Sequence, residues 1–111
     1  MLRVMSCNLR YGLAADGDNR WERRRHLVLA RIRAFLPDLL GLQECRDDDQ
    51  AACIRASLAD CQFLGVHRLG PGDTALEMAP LVFRSGRFDL LDAGWFWLSD
   101  TPNIPGSRSP E

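Results

Sequence analysis

Apolar and polar positions intermingle over the first nine residues, with Leu2, Val4, Met5, Cys7 and Leu9 set against Arg3, Ser6 and Asn8. The run has only a strand's length, so residues 2–9 predict a β-strand. Turn residues from Ala14 to Asn19 follow, and Asn19 with Glu22 three positions on is a capping-box pattern. Beyond it, Trp21, Leu27, Val28, Ile32, Phe35 and Leu36 fall largely on one helical face, and Arg23, Arg24, Arg25, Arg31 and Arg33 lie mostly around the other. Pro37 ends that helix. Asp38 to Glu44 is then a short apolar run closed by two polar residues, the pattern of a buried strand. Strand, helix and strand at this spacing make a βαβ unit with parallel strands.

Asp47, Asp48 and Asp49 open a second predicted helix, reaching about Asp60, where their carboxylates suit the positive end of the helix dipole. A capped, solvated helix start explains this cluster better than a metal site does. Cys61 to Val66 predicts a third strand and His67 to Thr74 a turn-rich loop. Met78 to Arg84 and Phe88 to Leu98 predict two further strands, with Ser85-Gly86 as the hairpin between them. From Ser99 onward the chain has no periodicity. The order βαβαβ followed by antiparallel hairpins indicates an α/β fold with a mixed sheet layered by helices.

Composition narrows the function. Hydrophobic content of 46% with 26% charged residues is that of a globular chain of one domain at most. No apolar stretch is long enough to span a bilayer and the start does not read as a signal peptide, so the expectation is a cytoplasmic protein with no membrane partner. With 14 basic and 15 acidic side chains the net charge is −1, which supplies no overall field to attract a polyanion. A nuclease is still allowed, because a bound metal carries local positive charge. Cys7, Cys45, Cys53 and Cys61 contain no CxxC pair and read as buried thiols rather than zinc ligands or disulfides.

The candidate chemistry sits at two strand ends. Asn8 and Glu44 close the two predicted parallel strands at their carboxyl ends, the edge where open α/β sheets bind ligands. A carboxylate beside a carboxamide offers hard oxygen donors of the kind Mg²⁺ or Mn²⁺ accepts. Asp16-Gly17-Asp18-Asn19 imitates a calcium loop but lacks its sixth-position Gly and twelfth-position Glu, and the first loop has no G-x-G-x-x-G or Walker pattern.

Local sequence extends this reading. Ser6 to Gly12 (SCNLRYG), Asn19 to Arg24 (NRWERR) and Pro37 to Glu44 (PDLLGLQE) closely resemble the endonuclease/exonuclease/phosphatase superfamily. Glu77 to Phe83 (EMAPLVF) and Gly94 to Pro102 (GWFWLSDTP) resemble further landmarks of a bacterial branch. The resemblance spans essentially the whole chain. It implies a deoxyribonuclease I-like four-layer α/β/β/α sandwich, of which residues 1–111 are the N-terminal part. It also implies a Mg²⁺- or Mn²⁺-dependent hydrolase in which Glu44 is the metal ligand and Asn8 binds the metal or its water. Glu77 falls where the family borders its cleft, so it is either a substrate-binding residue or a plain strand-start carboxylate. The substrate that the resemblance implies is a phosphoester, either nucleic acid or a small molecule.

The family's later Asp-x-Asn, second Asp and Ser-Asp-His have no counterpart here: Ser99-Asp100 is followed by Thr101, and His26 and His67 read as structural. The expectation is therefore a truncated reading frame or fragment, poorly stable and inactive without the missing C-terminal half. The alternative is a non-catalytic half-domain serving as a binding or dimerisation module.

Overall fold

The computed structural model describes residues 1–110. Strand β1 (Val4–Asn8) leads through a loop and a short 3₁₀ turn (Gly17–Asn19) into helix α1 (Trp21–Phe35), and the chain returns as β2 (Leu39–Gln43). β1 and β2 are parallel, with Val4 opposite Leu39 and Asn8 opposite Gln43. The predicted βαβ unit is thus present, and its register levels the two strand ends. After β3 (Cys45–Arg46) come α2 (Asp49–Ser57), β4 (Cys61–Leu64), β5 (Glu77–Met78) and β6 (Leu81–Arg84).

The main sheet has the order β1-β2-β6-β4, and β3 pairs with β5 in a separate small sheet. β6 is antiparallel to both β2 and β4. β1, β2 and β4 therefore share one direction, with β6 inserted against them. Both helices pack one face of this sheet: Trp21 and Ile32 of α1 and Ala51 and Ile54 of α2 meet Leu9, Leu40, Leu42 and Val82 in one buried cluster. On the opposite face Val4 and Leu81 are exposed, and the segment from Phe88 to Trp95 runs along a groove over Phe83 and Leu39.

Several expectations change on contact with the structure. Asn19 does not cap α1: the cap position is Arg20, whose side chain makes no capping bond, because Asn19 is taken up in the 3₁₀ turn. α1 ends as expected before Pro37, through a left-handed Leu36 whose N–H reaches the Ile32 and Arg33 carbonyls. Leu27 and Phe35 stay exposed, while Leu29 takes a place against the core. α2 ends at Ser57 rather than near Asp60, and its cap is Asp48, whose side chain accepts the Gln50 N–H.

The strand expected over Met78 to Arg84 is broken in two. Pro80 has no N–H for a ladder, and at Ala79-Pro80 the chain crosses from the small sheet to the main one. Phe88 to Leu98 forms no strand. A hairpin return from β6 needs a free edge beside it, and β2 and β4 already occupy both sides. The Trp and Leu side chains that suggested a strand lie instead along the sheet face or in solvent, with Leu91 and Leu98 almost fully exposed.

Candidate metal centre

Asn8 is the last residue of β1. One more rung, Leu9 N–H to the Gln43 carbonyl (3.0 Å), holds the strands together before the chain bends away at Arg10, whose φ is +63°. The bend is fixed by the Asn8 side chain, whose Oδ1 accepts the Arg10 N–H at 2.8 Å. Arg24 of α1 holds the same corner by donating to the Leu9 carbonyl at 2.7 Å.

β2 ends level with β1, at Gln43, and the next residue bends in its own way. Glu44 has φ +54°, a left-handed backbone unusual for a residue with a side chain. Such conformations persist only where surrounding bonds hold them, and they cluster at functional sites. Here the bend carries the carboxylate across to β1: Glu44 Oε1 accepts from Asn8 Nδ2 at 3.1 Å, and Oε2 accepts the Tyr11 N–H at 2.9 Å. Those two bonds, joined by the nearby Arg10 charge, hold the Glu44 carboxyl below the usual range, so it stays ionised. Arg10 is itself oriented by Asp16, whose carboxylate takes two of its N–H groups at 2.9 and 3.0 Å.

The arrangement fits a hard cation. Each Glu44 oxygen has one protein donor and so keeps lone-pair capacity for a metal. The Asn8 amide can stand only one way round, because a backbone N–H faces its Oδ1. Its N–H therefore points to Glu44, which makes Asn8 a support for the carboxylate, with an oxygen left for a metal-bound water. Among the described residues no group of three or more His, Cys, Asp or Glu side chains could hold a metal. Mg²⁺ is commonly held by one or two carboxylates with waters and substrate phosphate, so Glu44 with Asn8 would supply at most one side of such a site.

The other expected residues lie apart. Glu77 stands opposite Arg46 in the small sheet and is paired with Arg68 at 3.0 Å, with no hydrogen bond to Asn8 or Glu44. His26 is exposed on α1. His67 meets Asp47 at 2.8 Å, and this bond, with Arg55 beyond it, keeps the Asp47 carboxyl below its usual range. All four cysteines are free.

Sequence reasoning missed three contributors. Tyr11 acts through its backbone N–H, which no side-chain pattern marks, and its hydroxyl joins Arg46 and the Ala75 carbonyl. Asp16 stood out only as a turn residue and as the start of a calcium-loop pattern that fails. Gln50 is buried on the core side of α2, one helical turn before Ile54, and that apolar-face position was the available signal.

The sequence matches the model of the "Endonuclease/Exonuclease/phosphatase family" over residues 5–108. No curated protein matches it. Among solved structures, an endonuclease/exonuclease/phosphatase from Bacteroides vulgatus is 33% identical with a TM-score of 0.87, covering 97% of this chain and 41% of that one. A mannosyl-6-phosphatase from Bacteroides thetaiotaomicron is 29% identical with a TM-score of 0.88, covering 100% and 41%. The 2′,3′-cyclic phosphatase ANGEL2 is 26% identical with a TM-score of 0.71, covering 89% and 32%. The chain thus spans about two fifths of the length of the first structures it matches, and it has their fold over that portion.

Proposed function

The chain belongs to the endonuclease/exonuclease/phosphatase family, a hydrolase fold, and from that premise we propose that residues 1–111 form one side of a divalent-metal phosphoester hydrolase site. Mg²⁺ or Mn²⁺ is the expected ion, since the family's enzymes generally depend on a divalent metal. The observation that carries the reading is the Asn8–Glu44 contact beside two level strand ends, with the carboxylate held ionised.

In this reading Glu44 is a direct ligand. Asn8 and the Tyr11 N–H orient its carboxylate, and Asn8 Oδ1 would have a lone pair free for a further donor beside the ion. When bound, the metal would polarise the phosphoryl group and stabilise the leaving oxygen. Arg10 supplies a cation near the site, restrained by Asp16, where an incoming phosphate would stand. The remaining groups of such a site are not among these residues, and Glu77, turned to Arg68, makes no hydrogen bond to Asn8 or Glu44. Two of the matched proteins are phosphatases, which favours a phosphoester substrate and leaves nucleic acid and small molecules to assay. Four unpaired thiols favour a reducing compartment such as the cytoplasm.

A Mg²⁺ titration of the wild-type chain and of Glu44→Gln tests this. The substitution is expected to weaken binding by more than the roughly 10- to 100-fold that loss of a supporting group costs. Equal behaviour of the two proteins would favour a non-catalytic half-domain used for binding or dimerisation.

A further inference from the structure

Gln50 is one of only two buried polar side chains among the described residues, at 1% exposure. It lies in the first turn of α2 beside Ala51 and shares its face with Ile54, both in the core. An apolar residue would fill this space without the desolvation cost that an amide carries. The amide is kept satisfied by bonds that leave its own helix. Nε2 donates to the Arg10 carbonyl at 2.9 Å, and Oε1 accepts the Arg46 N–H at 2.9 Å.

Those two peptides lie at matching places, two residues beyond Asn8 and two beyond Glu44. The peptide that offers the Arg10 carbonyl also carries the Tyr11 N–H, which donates to Glu44 Oε2 at 2.9 Å, and the Arg10 N–H, one peptide earlier, donates to Asn8 Oδ1 at 2.8 Å. The loop after β1 and the bend between β2 and β3 each contain a left-handed non-glycine residue, Arg10 and Glu44, which needs outside bonds to persist. The first loop also packs closely on the amide: a Cβ at Gly12 would lie 3.0 Å from Gln50 Oε1.

We propose that Gln50 is a positioning residue for the Asn8–Glu44 site, a buried cross-tie that fixes the spacing of the two strand-end loops so that Glu44 is presented to a divalent cation. The proposal rests on the metal reading above. Gln50 touches neither the ion nor the substrate; it acts through the backbone that carries the ligands.

The test uses Gln50→Met, which keeps length and removes both bonds, and Gly12→Ala, which keeps the amide and crowds it. Ile54→Val thins the core on the same helix without touching either loop. Two quantities are read: Mn²⁺ affinity from the spectrum of the free ion, and hydrogen exchange of the Tyr11 amide in the metal-free chain. Gln50→Met is expected to weaken Mn²⁺ binding by roughly 10- to 100-fold and to expose the Tyr11 amide relative to that of Leu42. Gly12→Ala should move both the same way by less, and Ile54→Val should move neither. If Gln50→Met does not fold, Gly12→Ala decides. Wild-type affinity together with wild-type Tyr11 protection in the folded variants would overturn the proposal. If wild-type Mn²⁺ binding is itself unaffected by Glu44→Gln, the metal reading fails, and Tyr11 exchange alone still decides whether Gln50 sets the loop.

Discussion

Leu42 and Gly41 are neighbours on β2 that face opposite ways, and shortening one while enlarging the other should have effects of opposite sign. Leu42 is 1% exposed and sits in the cluster between the sheet and both helices. Leu42→Ala removes apolar volume from a site walled by strand backbone, so it cannot collapse fully. The loss is about 3 kcal/mol, within the 2–5 kcal/mol spread of such changes. A chain of this size has a total stability of roughly 5–15 kcal/mol. At about 4 °C per kcal/mol, Tm should fall by roughly 12 °C. A Cβ at Gly41 would meet nothing nearer than Gln43 Nε2 at 3.8 Å, and its backbone is ordinary strand. Gly41→Ala should therefore gain about 0.4–1 kcal/mol by restricting the unfolded chain. Urea unfolding followed by circular dichroism, with the m-value checked for constancy, measures both. A loss under about 1 kcal/mol for Leu42→Ala, or destabilisation by Gly41→Ala, would refute this account of the two faces.

Other consequences follow from the charges and thiols. Asp38 accepts the Arg3 N–H and then the Arg87 guanidinium; with Asp16, Asp47 and Glu44 it sits below the usual carboxyl range. The unfolded chain therefore binds more protons, so stability is complete near neutrality and is lost as pH falls below about 4; Tm against pH reads this, and a Tm that rises on acidification would reverse the sign. Burial pushes the Cys45 thiol up to about 12, so at pH 8 a thiol reagent should label Cys45 only at the rate of unfolding, after the partly exposed Cys53, as peptide mass spectrometry can follow. Asp48→Ala removes the α2 cap and should cost about 1 kcal/mol in the same urea assay, with no loss expected if Asp48 is merely solvated.

Much of this was legible because hydrophobic period and strand length are local. The βαβ unit over residues 2–44 came from such patterns, and so did the placing of Asn8 and Glu44 at its carboxyl edge. What failed depended on neighbours distant in sequence. Phe88 to Leu98 has a strand's composition, but whether it pairs depends on edges that β2 and β4 had already filled. Asn19 has a capping pattern that the preceding 3₁₀ turn forestalls. In the site, the pair of oxygen donors was readable from residue type, whereas the left-handed turn at Glu44 and the bond from the Tyr11 N–H are backbone features with no letter of their own. Glu77 shows the same limit: its type suggested chemistry, but its partner Arg68 lies nine residues away across a turn-rich loop.

The most direct test of the central claim is an anomalous difference map from crystals of the chain soaked in Mn²⁺. The account predicts a peak about 2.1 Å from a Glu44 carboxylate oxygen, beside Asn8, and its loss in Glu44→Gln. A peak that survives that substitution, or crystals with no density at Glu44, would contradict it.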